Sequence, residues 1–151
     1  MKHILFLIGL AATSAVFALL EIQIEGGEGW AGKLPTWRIQ NRWTRLLFGA
    51  RPVTGYHFYF WLFLVLLAHL PCWLSFTPFS LAAEARIVAF IFLFWITEDF
   101  LWFVFNPAYG LRRFRREAIW WHRDSWWVFM PRDYWTFGLA GIALYILSWR
   151  L

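Results

Sequence analysis

Long apolar segments are the feature that most constrains this chain. Residues 4–20 contain no charged side chain, and further mostly apolar segments follow at 56–76, 81–105 and 134–149. A helix needs about 20 predominantly apolar residues to cross the hydrocarbon core of a bilayer. The sequence therefore predicts an all-α, polytopic integral membrane protein with four transmembrane helices, at about residues 4–24, 56–76, 81–105 and 134–149, in a single domain of residues 1–151.

The first apolar segment has two interpretations, because a cleaved signal peptide also begins with a short basic stretch and an apolar run. No cleavage site of small residues follows this run, which passes directly into Glu21. Ala11, Ser14, Ala15 and Ala18 lie at helical spacing and form a ridge that lets another helix approach closely. We therefore expect this segment to remain in the protein as a helix.

Two basic, amphipathic segments separate the predicted spans. In the first, Ile39, Trp43 and Leu46 recur at helical spacing. The arginines of the two segments are Arg38, Arg42, Arg45, Arg112, Arg113, Arg115 and Arg116. Apolar residues on one face and basic residues on the other are typical of helices that lie in the membrane interface and bind anionic headgroups. We therefore expect interfacial helices at about 36–48, with Thr36 as the N-cap, and 111–122.

The distribution of positive charge predicts the orientation of the spans. The connections after the first and third spans carry most of the arginines, whereas the connection after the second carries almost none. Four spans place both basic connections on one side, and the positive-inside rule assigns that side to the cytoplasm. We therefore expect a bacterial inner-membrane protein with both termini outside and the basic loops in the cytoplasm.

The composition favours a lipid partner over nucleic acid. The chain is 61% hydrophobic, has 13 tryptophans and carries a formal net charge of +5. Tryptophan is enriched at membrane interfaces, and a soluble nucleic-acid-binding domain would carry this charge without the apolar segments. We expect membrane lipids with anionic headgroups as partners, together with protein partners or a second copy of this chain, and no nucleic acid.

Two adjacent carboxylates interrupt the third predicted span. Glu98 and Asp99 lie several residues before its end at Phe105. A carboxylate in hydrocarbon costs several kcal/mol on insertion scales, so such a residue is expected to face a partner or a cavity. The structural alternative is that both acids lie at the helix end, where they pair with the many arginines.

Histidines add to these carboxylates. The predicted topology brings His57 and His122 to the same interface as the acidic residues. Carboxylates and imidazoles are ligands of iron, manganese and zinc and are also the acids and bases of catalysis. The candidate metal ligands are Glu21, His57, Glu98 and His122. The chain contains neither HExxH nor the Glu-x-x-His pair of di-metal helical bundles, so the sequence identifies no cofactor.

His69 lies inside the second predicted span among apolar neighbours. An imidazole in such a place can be the axial ligand of a tetrapyrrole. The alternative is a hydrogen bond to a backbone carbonyl. No second matching histidine is present, so the signal for a tetrapyrrole is weak.

The sequence leaves two functions open. The first is a non-catalytic accessory or assembly subunit of a larger membrane complex, of an energy-transducing or pigment-containing kind. It is favoured by the amount of tryptophan and phenylalanine and by the lack of a recognisable catalytic motif. The alternative is a small membrane-embedded enzyme that acts on a lipid or isoprenoid substrate at the cytoplasmic face, with Glu98, Asp99 and His122 as its catalytic residues.

Overall fold

Helices make up most of the chain in this computed structural model, which describes residues 1–49 and 51–151. The α-helices are α1 (Lys2–Glu25), α2 (Arg42–Phe48), α3 (Gly55–Trp73), α4 (Leu81–Phe105) and α5 (Arg132–Leu147). Two antiparallel ladders of two-residue strands join β1 (Arg38–Ile39) to β2 (Val53–Thr54) and β3 (Trp126–Trp127) to β4 (Met130–Pro131). The predicted all-α class is confirmed.

Three of these helices are long and apolar enough to cross a membrane. They are α1, α3 and α4, with 24, 19 and 25 residues, and their bounds lie close to the predicted ones. α5 has 16 residues, which at 1.5 Å per residue is about 24 Å, less than the roughly 30 Å of a hydrocarbon core. The fourth span therefore stays a prediction.

α1 and α4 run in one direction and α3 and α5 in the other, so the two ends of the bundle differ. We call the end at which α1 and α4 finish and α3 and α5 begin the polar end, and the opposite one the terminal end. At the polar end, Asn106 donates to the Gly26 carbonyl at 2.8 Å. At the terminal end, Arg86 donates to the Ser148 carbonyl at 3.1 Å. The connectivity places both arginine-rich segments at the polar end.

Small residues let α1 and α5 approach the central helix α4. Ala18 of α1 is fully buried and packs in one cluster with Trp102 of α4. A Cβ atom added at Gly141 would lie 2.8 Å from Leu93 Cγ, and one at Gly138 would lie 3.2 Å from Ile96 Cδ1. These two glycines therefore let α5 lie close against α4.

α3 contacts its neighbours less extensively, and mainly through aromatic rings. Trp61 and Trp95 have ring centroids 4.1 Å apart, and Phe17 of α1 stacks on Phe60 at 4.0 Å. Rings at this spacing hold the helices together while leaving space above and below each contact. Cavities consequently lie on either side of α3.

The first predicted interfacial helix is wrong in its extent. The helix begins at Arg42 rather than near residue 36, because Asn41 is its cap and accepts hydrogen bonds from the backbone N–H groups of Trp43 and Thr44. Thr36, the predicted cap, instead accepts from the Tyr56 N–H at 3.0 Å. The residues between them form β1, whose pairing with β2 replaces the first turn of the predicted helix.

The second predicted interfacial helix, at 111–122, is wrong. A 3-10 turn at Leu111–Arg113 is followed by irregular turns. The predicted apolar face is used for the interior instead, because Trp121 packs against Trp102 and Phe103 of α4. These contacts bury the Trp121 ring at the polar end, while Arg112, Arg113, Arg115 and Arg116 stay exposed.

The outward faces of the bundle are apolar. Leu5 and Leu7 of α1, Phe63 of α3, and Leu139 and Ile142 of α5 are all exposed. Helices that are apolar on every side are typical of membrane spans. The fold is therefore consistent with a membrane protein.

Candidate functional site

The polar end contains a cluster of largely buried charged and histidine side chains. They come from α1, α3, α4, α5 and the loops between them. We call this set the polar cluster, and its members are Glu21, Glu25, Arg51, His57, Glu98, Asp99, His122 and Asp133. They meet because α1 and α4 end where α3 and α5 begin.

One half of the cluster is well paired. Arg51, which is only 1% exposed, forms an ion pair with Asp133 and donates to His122 Nδ1 at 3.1 Å. His122 Nε2 lies 3.4 Å from Asp99 Oδ2, and the Tyr134 hydroxyl also donates to Asp99. Because Nδ1 accepts from Arg51, the neutral ring carries its proton on Nε2, facing Asp99. We call Arg51, Asp99, His122 and Asp133 the paired half.

Burial lowers the pKa of His122. The hydrogen bond to Asp99 acts in the opposite direction, while the positive charge of Arg51 lowers the pKa further. Desolvation disfavours the charged form of an imidazole, and a nearby cation does the same. His122 is therefore neutral at pH 7, as its hydrogen bond from Arg51 requires.

The other half of the cluster is acidic. Glu21 and Glu25 lie one turn apart on α1 and face His57 of α3, and one ligand atom of each lies within 4.8 Å of the others. Glu98 of α4 faces them and is 4% exposed, and its Oε1 has no hydrogen-bond partner among the described residues. We call these four side chains the acidic half. Within the described chain, no lysine or arginine forms an ion pair with them.

The Thr54 hydroxyl and the Trp30 ring hold His57 in place. Its Nδ1 lies 2.6 Å from the Thr54 hydroxyl, and Trp30 stacks on its ring with centroids 4.0 Å apart. The Arg51 guanidinium in turn lies over the Trp30 ring at 4.5 Å. These contacts direct His57 Nε2 towards Glu25 Oε1, 3.6 Å away.

A small cavity lies between the members of the acidic half. Its volume is about 30 Å³, and its lining includes Glu21, Glu25, His57, Glu98 and Trp102. The Trp102 indole N–H is buried and has no hydrogen-bond partner in the described structure. A water needs roughly 10–15 Å³ of such space, so the cavity accommodates a water molecule or a single ion. We call it the acidic cavity.

A larger apolar groove adjoins the acidic cavity. Its volume is about 540 Å³, and it lies between α1, α3 and α4. Phe60 lines both the groove and the acidic cavity, and Leu20, which lines the groove, directly precedes Glu21. Carboxylates and a long apolar surface therefore meet at one place. We call the groove of about 540 Å³ the apolar groove.

The structure brings the predicted catalytic residues close together but gives them different surroundings. Glu98 lines the acidic cavity, as does part of Asp99, whereas His122 lies behind Asp99 and does not line it. Of the predicted metal candidates, Glu21, His57 and Glu98 face the acidic cavity and His122 does not. Glu25 takes the place of His122.

His69 lies at the terminal end, far along α3 from the polar cluster. Its Nδ1 lies 2.7 Å from the Val65 carbonyl, and its Nε2 lies 3.2 Å from Glu84 Oε2. Both ring nitrogens are therefore engaged within the chain. This geometry favours the hydrogen-bonding alternative, and the tetrapyrrole role stays a prediction.

Sequence reasoning did not single out Arg51, Asp133 or Tyr134 as site residues. Nothing in the sequence distinguishes Arg51 from the exposed arginines around it, since its burial depends on the loop that folds it under Trp30. Asp133 gave little signal as a site residue, because an acid in the first turn of a helix is ordinary there.

No known protein family, curated protein or solved structure matches this chain.

Proposed function

We propose that this chain is a small membrane-embedded enzyme that acts on a lipid or isoprenoid substrate. The observation that carries the proposal is the junction at Phe60, where the acidic cavity meets the apolar groove. Binding sites for small molecules are typically about 300–1,000 Å³ and mostly apolar, with a few convergent polar groups. A groove of about 540 Å³ that shares Phe60 with the cavity of the buried carboxylates fits a molecule with a hydrocarbon tail and a polar end.

The residues divide the work according to their surroundings. Glu98 faces the cavity and has an unpartnered oxygen, so it is the group placed to act as acid or base on the polar end of the substrate. His122 and Arg51 position Asp99 rather than contact substrate. The exposed arginines of the segment after α4 lie at the same end and would attract an anionic headgroup.

The free-energy cost of burying the carboxylates of the acidic half supports a role in binding or chemistry. Carboxylates buried away from water and without a basic partner destabilise a fold. The paired half shows that this chain can neutralise a buried acid with Arg51 where it needs only to join elements. The acidic half lacks such neutralisation, as is usual for groups kept for binding or chemistry.

The membrane setting belongs to the same proposal. We place the polar end at the cytoplasmic headgroups of a bacterial inner membrane, with α5 as the fourth span and both termini outside. The arginine-rich loops at the polar end support this orientation through the positive-inside rule.

A non-catalytic subunit of a larger membrane complex is the second candidate. It is favoured by the exposed aromatic residues outside the spans, such as Trp43, Phe76 and Phe79, which offer stacking surface to a protein partner. In that case the polar cluster would only join loops to helices. Substitution of Glu98 separates the two functions.

The test is a comparison of membrane lipids from cells that express the wild-type chain, Glu98→Gln or Glu84→Gln. Glu84 also pairs with a histidine but is exposed at the terminal end, which makes it a matched control. We expect the wild type and Glu84→Gln to change the same lipid species relative to cells without the protein, and Glu98→Gln to leave them unchanged at equal expression. Identical lipid profiles in all cells would contradict the enzyme and favour the subunit.

A further inference from the structure

We infer that the acidic half binds one divalent first-row transition-metal ion, with Glu21, Glu25 and His57 as its ligands and Glu98 facing a water bound to that ion. These side chains come from three different helices and point into one cavity. The inference deepens the proposed function, on which its catalytic meaning rests, but ion binding is measured without any substrate.

The spacing of the donor atoms fits one ion. The candidate atoms of Glu21, Glu25 and His57 lie within 4.8 Å of one another. Two ligands at the tetrahedral angle, each about 2.1 Å from an ion, are separated by about 3.4 Å. A shift of about 1 Å in the side chains therefore closes the site, and the cavity of about 30 Å³ has room for the ion.

The second ring nitrogen of His57 is hydrogen-bonded, as it usually is in metal-bound histidines. Such a histidine typically holds its second nitrogen in a hydrogen bond, which fixes the tautomer and the ring orientation. Here Nδ1 lies 2.6 Å from the Thr54 hydroxyl and Trp30 stacks on the ring, and metal binding at Nε2 selects the tautomer in which Nδ1 donates to that hydroxyl. The lone pair of Nε2 is then directed at the carboxylates of α1.

Two unpartnered polar groups point to an occupant independently of this triad. Glu98 Oε1 is a buried acceptor and the Trp102 indole N–H a buried donor, and neither has a partner in the described structure. Both residues are more than nine-tenths buried and line the acidic cavity. An ion that carries a bound water satisfies both, because Glu98 accepts a hydrogen bond from the water and Trp102 donates to the water oxygen.

Charge favours an ion over water alone. The three carboxylates of the acidic half face one cavity that Asp99 also lines, and the only buried arginine or lysine of the described chain, Arg51, is already paired with Asp133. A divalent cation compensates two of these negative charges, which a neutral water does not. The imidazole ligand favours Mn²⁺, Fe²⁺ or Zn²⁺ over Mg²⁺ and Ca²⁺, which prefer oxygen ligands.

The experiment uses the full chain purified in detergent, stripped with a chelator and then titrated with Mn²⁺ followed by paramagnetic resonance. We expect one Mn²⁺ per chain, retained in excess Mg²⁺ and displaced by Zn²⁺, which binds such sites more tightly. Absence of saturable binding by the wild type overturns the inference whether or not any variant folds. The outcome for the enzyme proposal is read separately, since the lipid comparison needs no added metal.

Variants locate the ion. Glu25→Gln and His57→Gln keep the side-chain size, and each is expected to weaken Mn²⁺ binding by at least about tenfold. Glu84→Gln, which alters the exposed carboxylate–histidine pair at the terminal end, is expected to bind Mn²⁺ as the wild type does. Unchanged binding in both cavity variants, or loss of binding in Glu84→Gln, shows that the ion lies elsewhere and overturns the assignment.

Discussion

Glu98 and Asp99 show how much adjacent residues can differ within one helix. Successive helical residues point about 100° apart, so Glu98 is directed towards Glu21 while Asp99 is directed towards His122. The sequence predicted that both acids lie near the end of a span. It could not predict their separate partners, because the rotation of α4 is set by packing with α1 and α5.

The buried ion pair of the paired half gives a prediction for stability. Asp133→Ala removes the carboxylate that pairs with the Arg51 guanidinium. The Arg51 side chain is 2% exposed and that of Asp133 is 10% exposed, so the guanidinium stays buried without its ion-pair partner. Removal of one partner of a buried pair typically costs about 3–5 kcal/mol. Thermal unfolding in detergent is expected to show this loss, whereas Asp124→Ala, at an exposed acid of the neighbouring turn, is expected to change little. Equal effects of the two substitutions would contradict the paired half as described.

The lowered pKa of His122 predicts that acid destabilises the fold. The unfolded chain takes up a proton on this ring near pH 6.5, whereas the folded chain does so only at lower pH. The groups that face the ring are Arg51, Asp99 and Asp133. Stability present above pH 6.5 is therefore lost progressively below it, because the unfolded state binds more protons.

The measurement is the unfolding midpoint of the wild type and of His122→Gln at pH 7.5 and pH 5.5. The variant cannot take up the proton, so its midpoint is expected to fall less between the two pH values. A drop as large in the variant as in the wild type would assign the acid sensitivity to other groups.

At the scale of the elements, helix bounds were predicted better than loops. Apolar length alone placed α1, α3 and α4, because hydropathy is a property of the local sequence. The segment at 111–122 was predicted as an interfacial helix, yet Trp121 packs in the interior against α4. Amphipathic periodicity shows that a segment has an apolar face and does not show whether lipid or protein covers it.

Replacement of glycine by alanine is predicted to change stability in opposite directions at two positions. Gly141 lies at the contact of α5 with α4, whereas Gly9 of α1 faces open space. At Gly141 a Cβ atom would lie 2.8 Å from Leu93 Cγ and 3.4 Å from the Ala89 carbonyl oxygen, whereas at Gly9 nothing lies within 4 Å. Gly141→Ala is expected to destabilise by about 1–3 kcal/mol through overpacking. Gly9→Ala is expected to stabilise by up to about 1 kcal/mol, because alanine loses less backbone entropy in a helix. Thermal unfolding measures both, and a stabilising Gly141→Ala would contradict the close packing.

At the scale of the whole molecule, the directions of the helices put the termini at one end and the polar cluster with most of the arginines at the other. The sequence predicted this separation from charge counts. It could not show that the acids and histidines meet, since that depends on the side-by-side contacts of four helices. Nor could it show the apolar groove, which exists because α3 packs loosely.

Cysteine labelling tests the topology and the fourth span together. In a Cys72→Ala background, single cysteines replace Phe79 and Arg150 at the terminal end and Arg115 at the polar end. A membrane-impermeant thiol reagent added to intact cells is expected to label the first two from outside and Arg115→Cys only after the membrane is opened. Labelling of Phe79→Cys and Arg150→Cys from opposite sides would show that α5 does not cross the membrane.

The central claim is that the polar cluster is a working centre and more than a set of helix-pairing contacts. The most direct measurement is the unfolding midpoint of Glu98→Gln against the wild type, both in chelator. Because Glu98 is buried beside other carboxylates and has an unpartnered oxygen, its neutralisation is expected to stabilise the fold by about 1 kcal/mol or more, or roughly 2–4 °C. A midpoint several degrees below the wild type would show that Glu98 joins the helices, and would contradict the claim.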